Sequence, residues 1–132
     1  MLQELKLQRI HHISIICSDF TRSRKFYTEV LGLKIIQEIY RSDRDSYKLD
    51  LALNGVFVIE LFNFPETPER LSYPEACGLR HLAFEVNNIE DSYKYFVSKN
   101  IDIEKIRTDE HTLKKYTFLR DPDNLPIELY ER

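Results

Sequence analysis

The 132-residue chain has no long apolar run, no excess of cations and only two cysteines. No stretch approaches the roughly 20 apolar residues that a membrane helix requires, so nothing in it is expected to cross a bilayer. The first residues, Met1-Leu2-Gln3-Glu4-Leu5-Lys6-Leu7, interleave charge with leucine and lack the continuous apolar core of a secretory signal. The cytoplasm is the expected compartment. A formal net charge of −3 removes nucleic acid from the expected partners, because neutralising phosphates takes lysine and arginine clustered over one face. Cys17 and Cys77 stand apart without Cys-x-x-Cys spacing and make no disulfide framework. Both are expected to be reduced packing residues. What is present, 42 % hydrophobic and 31 % charged residues, is ordinary for a globular protein. The length suits one compact domain or two small fused modules.

Two halves of the chain show the same order of elements. Residues 10–17 are β-branched and end at Ser18-Asp19, a helix-capping signal. Phe20, Ser23, Phe26, Tyr27, Val30 and Leu31 then recur at spacings of three and four up to Gly32, which predicts an amphipathic helix over about 20–31. Strands are expected over 34–40, 46–53 and 57–62, the last two joined at Asn54-Gly55, a strong hairpin signal. In the second half a strand over 79–86 precedes a helical stripe of Ile89, Tyr93, Phe96 and Val97 ended by Asn100. Strands over 102–106, 115–119 and 126–130 follow. Between the halves, Pro65, Pro68 and Pro74 disfavour regular structure and mark a linker over about 64–77. The chain therefore divides into module one (about 8–63), the linker and module two (about 78–132), each β-α-β-β-β.

One histidine and one glutamate recur at matching places in the halves: His12 and Glu60, then His81 and Glu128. Strand side chains alternate faces, so parity decides which residues share a surface. Ile13, Ile15 and Cys17 oppose His12, Ser14 and Ile16; Leu82, Phe84 and Val86 oppose His81, Ala83 and Glu85. The more apolar face should meet the helix. Phe57, Ile59 and Leu61, with Ile127 and Leu129, are expected to point outward, which sends Glu60 and Glu128 to the inner face beside the histidines. A glutamate flanked by Val58-Ile59 and Leu61-Phe62 needs a cationic partner, since an unpaired buried carboxylate is costly. Two imidazoles and two carboxylates suit a divalent ion, with one or two positions left for water or substrate. Zinc, nickel, cobalt, manganese and ferrous iron all fit.

Other polar residues read more plainly. His11 has the wrong parity and is expected to be packed or surface-exposed; His111 falls in a polar loop. The run 41–48, with Arg41, Asp43, Arg44, Asp45 and Lys48, reads as a mixed-charge solvated turn, and Arg70 and Lys114-Lys115 read likewise.

The residues around these positions resemble the vicinal oxygen chelate superfamily, the glyoxalase/bleomycin-resistance/dioxygenase fold, across essentially the whole chain. The resemblance is carried by His12 in His-His-Ile-Ser-Ile, by Phe26-Tyr27 with Leu31-Gly32-Leu33, by Glu60 in Val-Ile-Glu-Leu-Phe, by His81 in Gly-Leu-Arg-His-Leu-Ala-Phe, and by Asp121-Pro122-Asp123-Asn124 with Ile127-Glu128-Leu129. It implies an α+β fold, a single domain over 1–132 in which two tandem βαβββ modules form a half-open barrel of curved mixed sheet with helices outside, around one divalent metal and commonly in a homodimer. The order His12, Glu60, His81, Glu128 looks most like glyoxalase I, the lactoylglutathione lyases, in the compact bacterial form. That implies a metal-dependent lyase, zinc or nickel favoured, acting on a small molecule such as a thiol adduct of a 2-oxoaldehyde. Glu128 or Glu60 would abstract a proton beside a metal-chelated carbonyl, through an enediolate. Methylmalonyl-CoA epimerases usually carry glutamine at the second position, and extradiol dioxygenases and fosfomycin-type thiol transferases use three ligands; Glu60 disfavours all three. A metal-free binding protein of the bleomycin-sequestering kind lacks the ligands that are intact here.

Overall fold

Isoleucine-rich alternation makes Ile13–Cys17 the first strand, β1, of a computed structural model that describes residues 1–132. Asp19 then caps a helix, its carboxylate accepting the Arg22 backbone N–H at 3.1 Å. This helix, α1 (Phe20–Lys25), widens into a π-helical stretch over Phe26–Val30, where the Leu31 N–H reaches back to the Phe26 carbonyl at 3.0 Å. Gly32 follows at φ 78°, a left-handed conformation that ends the helix without a Cβ clash. Strands β2 (Lys34–Arg41), β3 (Ser46–Leu53) and β4 (Val56–Asn63) complete a first compact unit, Met1–Thr67. Asn54 and Gly55, at φ 50° and 80°, make the tight turn between β3 and β4.

The second unit, Pro68–Arg132, repeats the order with β5 (Leu82–Val86), α2 (Ile89–Ser98), β6 (Arg107–Thr108), β7 (Lys115–Arg120) and β8 (Pro126–Glu131). Asn88 caps α2 by accepting the Asp91 N–H at 2.9 Å, and Asn100 ends it at φ 58°. The strand orders are β1-β4-β3-β2 and β5-β8-β7-β6, with the first and last strand of each unit parallel and the other neighbours antiparallel. Both are open, mixed four-stranded sheets. The fold class is α+β, as the resemblance implies.

The strand expected over 102–106 is reduced to one bridge, Ile103 to Leu119, followed by the two residues of β6. In this stretch the Thr117 hydroxyl donates to the Glu104 carbonyl at 2.7 Å.

Each sheet buries one face. In the first unit Ile15, Cys17, Leu49, Leu51, Ile59 and Leu61 are buried, and α1 packs on β4. In the second, Leu119, Ile127 and Leu129 are buried with Ile89 and Phe96 of α2, which packs on β7 and β8. Each such side chain contributes about 1.5–3 kcal/mol by leaving water. These residues fix the register and therefore which side chains remain for the opposite face. Cys17 is in this core, but Cys77 is exposed between Pro74 and Gly78, where no strand or helix covers it. The packing role expected of Cys77 is thus corrected, while both thiols are free.

Candidate metal centre

Parallel pairing of β1 with β4 places Ser14 opposite Glu60, and the matching pairing of β5 with β8 places Ala83 opposite Glu128. His12 and His81 lie one residue ahead of β1 and β5, not inside those strands as expected. The strands begin where parallel pairing begins, at Ile13 and Leu82, so each imidazole sits at a sheet end. From there His12 Nε2 stands 3.8 Å from Glu60 Oε1, and His81 Nε2 stands 3.7 Å from Glu128 Oε1. The carboxylates are 14 % and 17 % exposed and the imidazoles 34 % and 31 %, so the two units present equivalent half-buried pairs open to a small guest.

These separations are too wide for a hydrogen bond and near the roughly 3.4 Å between two ligands of one tetrahedral ion at about 2.0–2.2 Å. His81 Nδ1 is buried and has no hydrogen-bond partner, so neither ring nitrogen of His81 is satisfied by the protein. The donor set of imidazole nitrogen and carboxylate oxygen fits zinc or nickel. No third His, Cys, Asp or Glu joins either pair within its unit.

Around this shared pattern the two inner faces differ. The Ser14 hydroxyl donates to Glu60 Oε1 at 2.6 Å, and Lys48 Nζ approaches Glu60 Oε2 at 3.4 Å while pairing with Asp50 at 2.7 Å. Burial pushes the Glu60 carboxyl up, but the hydrogen bonds from Ser14 and Lys48, with the Lys48 charge and His12, outweigh it and hold the pKa below its ordinary value. Burial likewise opposes the charged form of Lys48, and the contacts with Asp50 and Glu60 more than reverse this, so its pKa is raised. Lys48, counted among the solvated charges of 41–48 and also inside the strand expected over 46–53, lies in β3, and only cross-strand register shows that Asp50 faces Glu60. In the second unit Phe118 takes the place opposite Glu128. Its ring meets His81 edge-on at 5.2 Å, and no side chain donates to Glu128.

A bulge corrects the expected direction of Phe57. The register shifts between Leu51 and Ala52, leaving Val58 unpaired, so Phe57 faces inward with Ala52 and stacks on His12 at 5.0 Å and an interplanar angle of 10°. His11, exposed as expected, brings its Nδ1 within 2.9 Å of His12 Nδ1. His111 is exposed beside Glu110. Two residues read as solvated charge are anchored instead. Arg41 lies over the Phe62 ring at 4.6 Å, and Arg70 donates to the carbonyls of Leu79 and Arg80 at 2.6 and 2.8 Å, fixing the chain that leads into His81. Lys115 pairs with Glu90 at 2.6 Å.

YwkD of Bacillus subtilis, described as uncharacterised, is 56 % identical over 96 % of this chain and 98 % of its own. A crystal structure of a glyoxalase family protein from Enterococcus faecalis superposes with a TM-score of 0.88 at 43 % identity, covering 94 % of this chain and 98 % of that one. More distant relatives carry named activities. Lactoylglutathione lyase of Schizosaccharomyces pombe is 30 % identical over 96 % of this chain, which spans 48 % of that protein, and the metallothiol transferase FosB of Staphylococcus saprophyticus is 32 % identical over 94 % of this chain and 77 % of its own. The model of one family covers residues 9–129, the positions of both His–Glu pairs included. The chain belongs to the Glyoxalase/Bleomycin resistance protein/Dioxygenase superfamily.

Proposed function

We propose that the protein is a divalent-metal-dependent lyase or isomerase of the lactoylglutathione lyase type, in which His12, Glu60, His81 and Glu128 ligate one ion. The observation that carries this reading is the recurrence of a half-buried, mutually unbonded His–Glu pair at the same register in both units. Zinc or nickel is the favoured metal, and the working assembly is a cytoplasmic homodimer. The ion, when bound, polarises the substrate's carbonyl oxygens and stabilises the negative charge that develops on them.

The chain's own residues divide the remaining work. Glu60 is restrained by Ser14 and Lys48, which suits a carboxylate that stays in place. Glu128 faces Ala83 and Phe118, which donate nothing to it, so of the four ligands it is the one that would be displaced as substrate enters and would take a proton from the carbon beside the carbonyl. Phe118 meets His81 edge-on and Phe57 stacks on His12, so each imidazole carries apolar surface on one side. In an isomerisation Glu128 returns that proton to the neighbouring carbon.

The test loads the purified protein with nickel, zinc, cobalt or manganese and follows metal content by elemental analysis and thioester formation from methylglyoxal and glutathione. Stoichiometric metal with thioester supports the whole reading; absence of retained metal ends it. Glu128→Gln should keep the metal and lower turnover by about 10²-fold or more, whereas Glu60→Gln should lose metal. A second reading, thiol transfer, is favoured by the similarity to FosB. It is recognised if the metal-loaded protein consumes a thiol with fosfomycin and leaves methylglyoxal untouched.

A further inference from the structure

The second unit contains a cavity of about 260 Å³ whose walls include Arg80, Arg107 and Arg120. Its position follows from register. Along β7, Tyr116, Phe118 and Arg120 point to the same side, Phe118 is the cross-strand partner of Glu128, and Arg107 of β6 pairs with Tyr116. Arg80 directly precedes His81, its backbone carbonyl held by Arg70. Three guanidinium groups from three segments thus surround Phe118, the ring that also touches His81.

Two of the three charges have no carboxylate partner. Glu104 pairs with Arg107 at 2.9 Å, and Asp102 also lines the cavity, but Arg80 and Arg120 form no ion pair. Arg107 is held over the rings of Tyr116 and Phe118, at 5.1 and 5.8 Å, and Arg80 lies over Tyr73 at 5.8 Å. Stacking fixes the plane of a guanidinium; Arg107 gives one N–H group to Glu104, whereas the edge of Arg80 has no carboxylate on it, the arrangement suited to a carboxylate or phosphate. The volume lies just under the roughly 300–1,000 Å³ typical of sites for drug-sized molecules, which suits a small anion or one charged arm of a larger compound.

We propose that this cavity is an oxyanion subsite, in which Arg80, Arg107 and Arg120 grip a carboxylate or phosphate of the substrate while the reacting carbonyl lies on the far side of Phe118, at His81 and Glu128. The assignment of the anion to the substrate rests on the metal-dependent reading above. The anion site itself does not, and the experiment separates the two.

Metal-free full-length protein is titrated with inorganic phosphate and, separately, with acetate, followed by NMR of backbone amides and arginine Nε–H groups at constant ionic strength. Saturable shifts centred on Arg80, Arg107 and Arg120 are expected, weakened about tenfold by Arg80→Gln or Arg120→Gln and unchanged by Arg44→Gln on the other unit. Preference for phosphate assigns a phosphoryl group and preference for acetate a carboxylate. Arg120→Lys, which keeps the charge and loses the fork, should bind at intermediate strength. Equal, unsaturable shifts in wild type and in the Arg80→Gln/Arg120→Gln double variant overturn the proposal. If metal analysis fails while saturable binding persists, the lyase reading falls and the oxyanion site stands.

Discussion

Ser14 and Ala83 occupy the same register position, opposite Glu60 and Glu128, and differ by one hydroxyl. That oxygen orients Glu60 from 2.6 Å, so Ser14→Ala installs the second unit's residue in the first and removes a single interaction. Ala83 shows that the strand accepts the smaller side chain. The expected result is an unchanged fold with metal affinity lower by about tenfold, read by competition with a chelating dye; unaltered affinity would mean that Glu60 is not a ligand. A second residue reports on itself. Asp109 accepts the His111 backbone N–H at 2.8 Å, the Tyr130 hydroxyl at 3.1 Å and the Thr112 N–H at 3.3 Å. The His111 bond foremost holds its carboxyl below the ordinary 3.8, despite some desolvation. A depressed carboxyl pKa means that its contribution to the fold is complete above 3.8 and is lost as pH falls through the lowered folded value. The His111 amide shift should therefore titrate with a midpoint below 3.8, and Asp109→Asn should abolish that titration.

Turns decide where strands point. Between β7 and β8 the buried Asp121 carboxylate accepts the N–H groups of Asp123 and Leu125 at 2.8 and 2.9 Å, with Asn124 left-handed at φ 66°. This closure sets the pairing of Phe118 with Glu128. Asp121→Ala should cost about 2–3 kcal/mol, measured by denaturant unfolding, with metal retention falling in parallel. Much of this level was legible in the sequence. Alternation placed Glu60 and Glu128 opposite the buried Ile59, Leu61, Ile127 and Leu129, and Asn54-Gly55 marked its hairpin. The inward turn of Phe57 was not legible, because a bulge at Val58 leaves the hydrophobic pattern unchanged while reversing the face of every residue before it. Lys48, Ser14 and Arg70 were missed for a related reason. Their partners lie on other segments, and no local pattern reports how far a lysine or arginine reaches.

At the scale of the whole molecule, one topology is used twice with two different linings. The first unit surrounds its glutamate with Ser14, Lys48 and Asp50; the second surrounds its own with Ala83 and Phe118, bordered by arginines. If one ion is held by His12, Glu60, His81 and Glu128 as proposed, it binds only the folded chain, so a free concentration one hundred times Kd should add about 2.7 kcal/mol to stability. The midpoint of thermal unfolding should rise with zinc or nickel concentration, and His81→Ala should flatten the rise. A dose-independent midpoint would contradict a four-residue site.

The parallel pairing of β1 with β4 also governs how the protein is made. Ser14 and Glu60 are 46 residues apart, so a nascent chain leaving the ribosome carries β1 unpaired until the hairpin of β3 and β4 has emerged. β5 waits in the same way for β8. Each imidazole is therefore translated well before its carboxylate, and neither His–Glu pair exists until its own module has finished assembling.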